Sequence, residues 1–297
     1  HFTRDHGGLS HNSVSALTAD PDDHLWIGTW GGGINLLDLK APQEVLKVIS
    51  SQTSSGFPID FVGSLTYDPI NKGIWIGANQ GLYFYEPETG TISAPLADKV
   101  ENIHGCIGSI IDKEGKLWIG CLEGVYIIDL HSRSAAGEFE YRHLNYKLND
   151  PNSRLIEKIT CFFETKDGTL WLGSSGYGIY KRTTNEQGKE IFVSYSTPQG
   201  LPNSSVRGIL EDGNGYLWIG TNNGLSCYHP EENRFINYTL QDGLINTQFY
   251  WNASCRSTQG LLYFGSVGGL VAIENNRPTI SLPAAKVRFT RLRIGNE

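Results

Sequence analysis

A five-residue motif constrains the architecture of this chain more than any other feature. LWIGT at residues 25–29 returns as IWIGA, LWIGC, LWLGS, LWIGT and LYFGS, with 43 to 53 residues between successive aromatic positions. Short aromatic-rich strands that recur about every 40–50 residues are typical of β-propeller blades and not of helical solenoids. The 297-residue sequence therefore predicts an all-β propeller with six visible repeats.

Each repeat contains four apolar segments, and the motif is the second of them. A tight turn with Asp and Gly, as in DKEG at residues 112–115, separates the first two segments. Alternation of period two puts Trp on one face of a strand and Leu or Ile on the other. Both faces of a propeller blade pack against neighbouring blades, so both stripes must be apolar. We expect four-stranded blades, six or seven in number, in which the motif is scaffold.

The two ends of the chain predict how the ring closes. HFTRDHGGL at the start is similar to RFINYTLQDGL, a fourth strand and the loop after it, whereas the last repeat has no fourth strand of this type. The N-terminal strand is therefore predicted to complete the last blade, which leaves no exposed edge. We assign residues 1–284 to the propeller and residues 285–297, AKVRFTRLRIGNE, to the first strand of a following domain.

Composition argues against several classes of function. The net charge is −7 and no cluster of Lys or Arg is present, which disfavours nucleic acids and anionic membrane surfaces as partners. No apolar run reaches the roughly 18 residues of a membrane span, so we expect no direct membrane contact. The five cysteines form no C-x-x-C pair. They are interpreted as buried small hydrophobes, with a disulfide left open.

No motif predicts catalysis. The eight histidines form no metal-binding pair, DPDD at residues 20–23 lies at a predicted turn, and GSSGYG at residues 173–178 is read as a β-turn because no helix follows it. We predict no catalytic residue, no metal and no cofactor. A carboxylate pair of the glycosidase type stays possible, because Asp and Glu are plentiful.

Candidate binding residues are those that break the repeat, because a blade does not need them. Two loops between second and third strands, TWGGGI and SSGYGI, are one residue longer than the others, and we placed their Trp30 and Tyr177 where the other repeats carry Asn79, Leu122, Asn222 or Val267. The loops before the first strands supply the other candidates: His11, Arg154, Arg207, Asn246, Tyr250 and Trp251. Aromatic rings beside amides and Arg suit sugar binding.

Each candidate also has a structural interpretation. Tyr250 and Trp251 can pack between blades, and Trp30 can pack over the top of its own blade. His11 and Asn246 can hydrogen-bond their own turns. Arg154 can form a surface ion pair with Glu157.

Two segments carry a resemblance to a known family. GLSHNSVSALTADPDDHLWIGTWGGGINLLD and GLPNSSVRGILEDGNGYLWIGTNNGLSCYHP resemble the repeats of two-component regulator propellers. The resemblance extends from residue 1 to about residue 276, and the tail resembles the start of the immunoglobulin-like domain that follows such propellers.

The resemblance implies the periplasmic sensor region of a membrane-anchored hybrid histidine kinase of the Bacteroidetes. Such sensors commonly recognise oligosaccharides, so the implied partners are an oligosaccharide ligand, a neighbouring propeller, the immunoglobulin-like domain and a second copy in a homodimer. Two alternatives stay open: an assembly propeller without a ligand of its own, and a carbohydrate-active lyase or hydrolase.

Overall fold

The computed structural model describes residues 2–6, 8–41, 45–53, 59–97, 103–122, 124–144 and 158–274. These residues form 23 strands in six antiparallel sheets, and three short 3-10 turns are the only helical elements among them. Each sheet is one repeat of the sequence. The prediction of an all-β propeller is confirmed, and of the six or seven blades expected, the described residues form six.

The strands follow one another along the chain in the order in which they pair. Blade 1 contains β1 (Val14–Ala19), β2 (His24–Thr29), β3 (Ile34–Asp38) and β4 (Val45–Ile49). Blade 2 contains β5 (Val62–Asp68), β6 (Gly73–Ala78), β7 (Gly81–Glu86) and β8 (Thr91–Ser93). Blade 3 contains β9 (Gly108–Ile111), β10 (Lys116–Cys121), β11 (Gly124–Asp129) and β12 (Glu140–Leu144).

The second half of the ring repeats this order. Blade 4 contains β13 (Ile159–Glu164), β14 (Leu170–Ser174), β15 (Ile179–Thr184) and β16 (Glu190–Tyr195). Blade 5 contains β17 (Val206–Glu211), β18 (Leu217–Thr221), β19 (Gly224–His229) and β20 (Arg234–Tyr238). Blade 6 contains β21 (Phe249–Arg256), β22 (Leu262–Ser266) and β23 (Gly269–Ile273).

The first strands of the blades line the centre of the ring. Each of them contacts the first strand of the next blade, and β21 also contacts β1, so the six blades surround a central channel. Four of the six first strands carry the same one-residue bulge near their start, as between Val14 and Ala16 in β1. A bulge increases the local twist of a strand, which suits the tight inner edge of a blade.

The hydrophobic core lies between the blades. One cluster joins blades 2 and 3 around Trp75, Phe84 and Phe139, and similar clusters join blade 1 to 2, blade 3 to 4, blade 4 to 5 and blade 5 to 6. Trp26, Trp75 and Trp118 of the repeated motif are at most 2% exposed. The motif is therefore scaffold, as predicted from its two apolar faces.

The predicted closure of the last blade by an N-terminal strand was wrong for the described residues. The sixth sheet has three strands, and residues 2–6 form none. They turn back on themselves: the Thr3 amide donates to His6 O, and the Leu9 amide donates to Thr3 O. These local bonds use backbone groups that a ladder would need, and Phe2 packs against the first blade at Leu9, Ile27 and Leu37.

Residues 285–297, predicted to start a following domain, lie outside the described residues, as do residues 275–284. Their assignment stays a prediction. No helix among the described residues is long and apolar enough to cross a membrane.

Candidate functional site

One end of the ring is built from two sets of loops, as the repeat predicts. The loops between second and third strands lie beside the loops that precede the first strands, and backbone hydrogen bonds join them. In blade 1 the Trp30 amide donates to Ser13 O at 2.9 Å, while the Gly31 and Gly33 amides donate to Asp60 O of blade 2 at 2.9 and 3.0 Å. We call this end of the propeller the loop face.

The same bonds recur around the ring. The Ser175, Asn222 and Val267 amides each donate to the carbonyl that precedes the first strand of their own blade. Gly176 and Gly178 donate to Ser204 O of blade 5, as Gly31 and Gly33 donate to blade 2. These bonds, together with the place directly after the second strand, identify one equivalent position per blade on the loop face: Trp30, Asn79, Leu122, Ser175, Asn222 and Val267.

This equivalence corrects the sequence alignment of the two longer loops. Ser175, not Tyr177, occupies the position of Trp30, and Tyr177 falls at the position of Gly32. Tyr177 is half-buried and packs against the cluster between blades 3 and 4 that contains Trp118 and Leu172. The structure therefore does not bring Tyr177 together with Trp30.

The first strand of blade 6 differs from all the others. Phe249 pairs with Ser266 and Ser254 pairs with Phe264, so five steps on β21 face only two steps on β22. The usual bulge gives two steps against one. The additional residues leave Tyr250 57% exposed and Trp251 42% exposed at the mouth of the channel.

The irregular part of β21 reaches across the ring. Asn252 has a positive φ of 54°, and its Nδ2 donates to Ile107 O of blade 3 at 2.6 Å. Asn tolerates the left-handed region better than most residues do. This bond spans from one side of the channel mouth to the other and fixes the position of the neighbouring Trp251.

Three of the predicted residues meet at this place. The Trp30 and Trp251 rings form an edge-to-face pair, with 6.4 Å between centroids and 77° between planes. The guanidinium of Arg207 lies over the Trp251 ring, with its Cζ 4.3 Å from the centroid. Trp30 comes from blade 1, Arg207 from blade 5 and Trp251 from blade 6. The cluster therefore links the last two blades to the first blade on the loop face.

Two amides extend the cluster. Asn222 Oδ1 accepts hydrogen bonds from Arg207 Nη2 and from Gln248 Nε2, both at 3.3 Å. Arg207 Nη1 is buried and has no hydrogen-bond partner among the described residues. Burial lowers the pKa of Arg207 from its usual value, and the nearby Cys161 opposes the shift. Because Arg stays charged in proteins, this Nη1 is a buried donor that no described acceptor satisfies.

The remaining candidates make the local bonds that sequence reasoning allowed. His11 Nδ1 accepts from the Ser13 amide at 3.0 Å, and Asn246 Oδ1 accepts from the Gln248 amide at 2.9 Å. The His11 ring lies against Gly31, next to Trp30. Asn246 thus positions Gln248 and His11 supports the loop of Trp30. Arg154 lies outside the described residues.

A cavity of about 560 Å³ lies in the channel, and Trp251 is the member of the cluster that lines it. Its described lining comes mainly from the first strands and includes Ser15, Ser64, Ser109, Phe163 and Trp251, with no Asp, Glu or His. Cys161 also lines it, and burial raises the pKa of its thiol to about 12. A thiol with this pKa stays protonated at neutral pH and is a poor nucleophile.

Sequence reasoning missed Asn222, Gln248 and Asn252. Amides are common in loops, and none of the three stands out by composition. Asn222 can be identified by its position in the repeat. When the repeats are aligned by their backbone hydrogen bonds, Asn222 occupies the same position as Trp30. No sequence signal finds Asn252, whose role depends on the added residues in β21.

The repeats match a described family. The model of the two-component regulator propeller matches residues 8–31, 155–176 and 200–223, which fall on the segments before and within blades 1, 4 and 5. A curated relative, "Histidine kinase P4" of Formosa agariphila, is 24% identical over 97% of this chain. The chain spans only 24% of that relative's length.

The chain is also similar to several solved structures. The extracellular domain of a protein described as a hybrid two-component system from B. thetaiotaomicron is 25% identical, with a TM-score of 0.74 over 91% of this chain and 34% of that one. Virginiamycin B lyase from Staphylococcus aureus shares the fold at 15% identity, with a TM-score of 0.62 over 89% of this chain and 82% of that enzyme.

The matched repeats, the six blades and the similarity to an extracellular domain agree with one another. Three of the six repeats match the two-component regulator propeller model, and the chain is similar to the extracellular domain of a hybrid two-component system.

Proposed function

We propose that this propeller is a non-enzymatic, periplasmic sensor module that binds an oligosaccharide on its loop face and relays binding to a histidine kinase. The observation that carries the proposal is the cluster of Trp30, Trp251 and Arg207 at the mouth of the channel. Its members come from three blades, and each deviates from the corresponding residues of the other blades.

The chemistry of the cluster suits a sugar. Trp30 is 45% and Trp251 is 42% exposed, so each indole offers apolar surface on which the C–H groups of a sugar ring can stack. The side-chain amides of Asn222 and Gln248 lie in the same cluster and can bond hydroxyl or carboxylate oxygens. Aromatic surface with a few convergent polar groups is the usual composition of a small-ligand site.

An enzymatic function finds no support in the described channel. Hydrolysis of a glycosidic bond requires two carboxyl groups about 5–9.5 Å apart, and the described lining residues include no carboxylate. The likeness to a lyase concerns the fold, which hosts many activities. We therefore favour binding without turnover.

The proposed transfer of the signal to a kinase is based on the similarity of the chain to other proteins. The chain resembles the extracellular domain of a hybrid two-component system and a quarter of a histidine kinase. In such a protein the ligand shifts the equilibrium between two arrangements of domains, provided that it binds one of them more tightly. The parent protein would then be anchored in the inner membrane, with a neighbouring propeller and an immunoglobulin-like domain beside this module.

A second candidate function has its own observation. The loop face exposes five large apolar residues, each at least 42% accessible: Trp30, Phe61, Leu122, Tyr250 and Trp251. Exposed apolar residues of this kind also suit a protein partner. In this alternative the face mediates homodimerisation or assembly and binds no small ligand.

The decisive experiment compares ligand-induced stabilisation of three proteins: wild type, Trp30→Ala and Leu46→Ala. Leu46 is the matched control, because it is 58% exposed on the outer strand of the same blade. A neutral and acidic oligosaccharide panel is screened by thermal shift, and hits are measured by calorimetry. A ligand at 100 times its Kd adds about 2.7 kcal/mol of stability.

We expect one class of glycan to stabilise the wild type and Leu46→Ala but not Trp30→Ala. Equal binding to all three proteins contradicts the loop face as the site. If no glycan binds and the wild type sediments as a dimer that Trp30→Ala dissociates, the assembly function is correct instead.

A further inference from the structure

Two buried cysteines of blade 3 lie in direct contact. The Sγ atoms of Cys106 and Cys121 are 3.0 Å apart, and the two residues are 0% and 2% exposed. Both are reduced in the structure. The other three cysteines belong to other blades: Cys161 lies in β13, Cys227 in β19 and Cys255 in β21.

The repeat shows that this contact is a cross-strand pair. In the other five blades the residue just before the bulge of the first strand pairs with the last residue of the second strand. These pairs are Val14–Thr29, Val62–Ala78, Ile159–Ser174, Val206–Thr221 and Phe249–Ser266. The Gly108–Gly120 pair of blade 3 corresponds to Ala16–Gly28 of blade 1, so by analogy Cys106 corresponds to Val14 and Cys121 to Thr29.

The substitution at both positions needs a reason. At the second position Thr29, Ser174, Thr221 and Ser266 each donate a hydroxyl hydrogen bond to a carbonyl at the start of the third strand. A thiol is a weaker donor. At the first position the other blades carry Val, Ile or Phe. Blade 3 replaces an apolar residue and a hydroxyl residue at the same pair.

The local geometry suits a covalent bond. The Cys106 amide donates to Ala78 O at 3.1 Å and not to Cys121, as in the antiparallel pairs that lack mutual hydrogen bonds. Side chains approach most closely in such pairs. A disulfide requires Cβ atoms about 3.5–4.5 Å apart, which is within reach of a pair whose sulfur atoms already touch.

We propose that Cys106 and Cys121 form a disulfide that closes the inner end of blade 3 when the protein folds in an oxidising compartment. The oxidant is a disulfide, either glutathione disulfide or an oxidoreductase in its disulfide form. One cysteine thiolate attacks it and releases one thiol, and the second thiolate attacks the mixed disulfide and releases the other. Two protein thiols are oxidised and one disulfide oxidant is reduced to two thiols.

Burial of the two sulfur atoms determines the stage of folding at which the disulfide can form. Neither sulfur is accessible in the folded blade, so the exchange takes place before the strands close over the pair. The proposal relies on the proposed periplasmic location for its oxidant. The test supplies the oxidant directly, so its outcome does not depend on whether that location or the sugar ligand is correct.

The experiment is a peptide map of the wild-type chain refolded in a glutathione redox buffer. Cleavage after Lys and Arg places Cys106 in the peptide of residues 100–113 and Cys121 in the peptide of residues 117–133. We expect these peptides to be joined without reduction and separate after it. After denaturation and alkylation, three of the five cysteines should carry the label.

Two variants complete the test. Cys106→Val with Cys121→Thr installs the pair found in blade 5, and its Tm should be insensitive to reduction, whereas the Tm of the wild type should fall. Cys255→Ser should leave the joined peptides intact. Alkylation of all five cysteines in the refolded wild type, or a joined species that contains Cys255 instead, overturns the proposal.

Discussion

The indole Nε1 of Trp26 donates a hydrogen bond of 2.8 Å to Asp20 Oδ2, across the turn that joins the first two strands of blade 1. The same bond recurs in blades 2, 3 and 5 at 2.7 to 3.1 Å, between Trp75 and Asp68, Trp118 and Asp112, and Trp218 and Asp212. The repeated Asp therefore does more than form its turn. It satisfies the polar atom of the Trp that fills the space between blades.

Loss of this bond should destabilise the propeller. Asp20→Ala leaves the Trp26 N–H without its partner although Trp26 is 2% exposed, and it removes an acceptor of the Asp22 and His24 amides. We expect a decrease of about 1–3 kcal/mol in the free energy of unfolding. Asp22→Ala in the same turn is the control, since Asp22 is exposed and should change stability by about 0.5 kcal/mol or less. Urea titration of both variants measures the difference.

The same carboxylate should make stability depend on pH. Burial raises the pKa of Asp20, but hydrogen bonds from Trp26 and from the backbone and side chain of His24 outweigh it and leave the pKa below the ordinary value. A carboxyl group with a lowered pKa in the folded state stabilises the fold above its unfolded pKa and loses this contribution as the pH falls through its folded pKa. The advantage of wild type over Asp20→Asn should therefore shrink as the pH falls from about 5 through the unfolded pKa of about 3.9 and then through the lower folded pKa. A constant difference in unfolding free energy across this range contradicts the assignment.

Two glycines of one loop should respond differently to the same substitution. Both Gly176 and Gly178 have positive φ, 107° and 85°, but a Cβ on Gly178 would lie 2.0 Å from Tyr195 O, whereas one on Gly176 would meet nothing within 4 Å. Gly176→Ala should cost about 1–2 kcal/mol from backbone conformation alone. Gly178→Ala should cost about 1–3 kcal/mol more, because a backbone carbonyl must move. Thermal unfolding of the two variants tests the prediction, and equal Tm values would contradict it.

The contact of Arg207 with Trp251 should be measurable as a coupling energy. Since Trp251 is 42% exposed, the cation–π interaction should contribute about 0.5–1 kcal/mol. A double-mutant cycle with Arg207→Ala and Trp251→Ala measures it from unfolding free energies. The same cycle with Leu46→Ala in place of Trp251→Ala should give strict additivity, because Leu46 is on an outer strand. Additivity in both cycles would show that the ring and the guanidinium do not interact in solution.

The fold was largely predictable because it follows from a motif that recurs along the sequence. Six copies of one motif specify six blades, and the two apolar stripes of each second strand specify packing on both faces. The Asp–Trp bond was missed because Asp is also the expected residue of the turn, so its presence was already explained. The N-terminal closure was wrong because similarity in sequence to a fourth strand does not reveal that residues 3–9 bond to one another.

The candidate site was predictable only in part. Trp30, Trp251 and Arg207 broke the repeat, and the structure brings them together. Tyr177 also broke the repeat, yet it packs between blades, because an aromatic residue in a loop is equally suited to filling a gap. The added residues in β21 could not be located from the sequence, since a bulge leaves no fixed signature in residue type.

At Trp30 and its five equivalents, the bonds to the loops before the first strands run from backbone amide to backbone carbonyl. A mutation at Trp30 or at any of its five equivalents changes what the face presents and leaves its attachment intact. Such a propeller can acquire a new specificity by single substitutions, without a matching change elsewhere in the frame. The stability of the propeller and its ligand specificity can therefore change separately. Substitutions at six positions could adapt one scaffold to a different ligand.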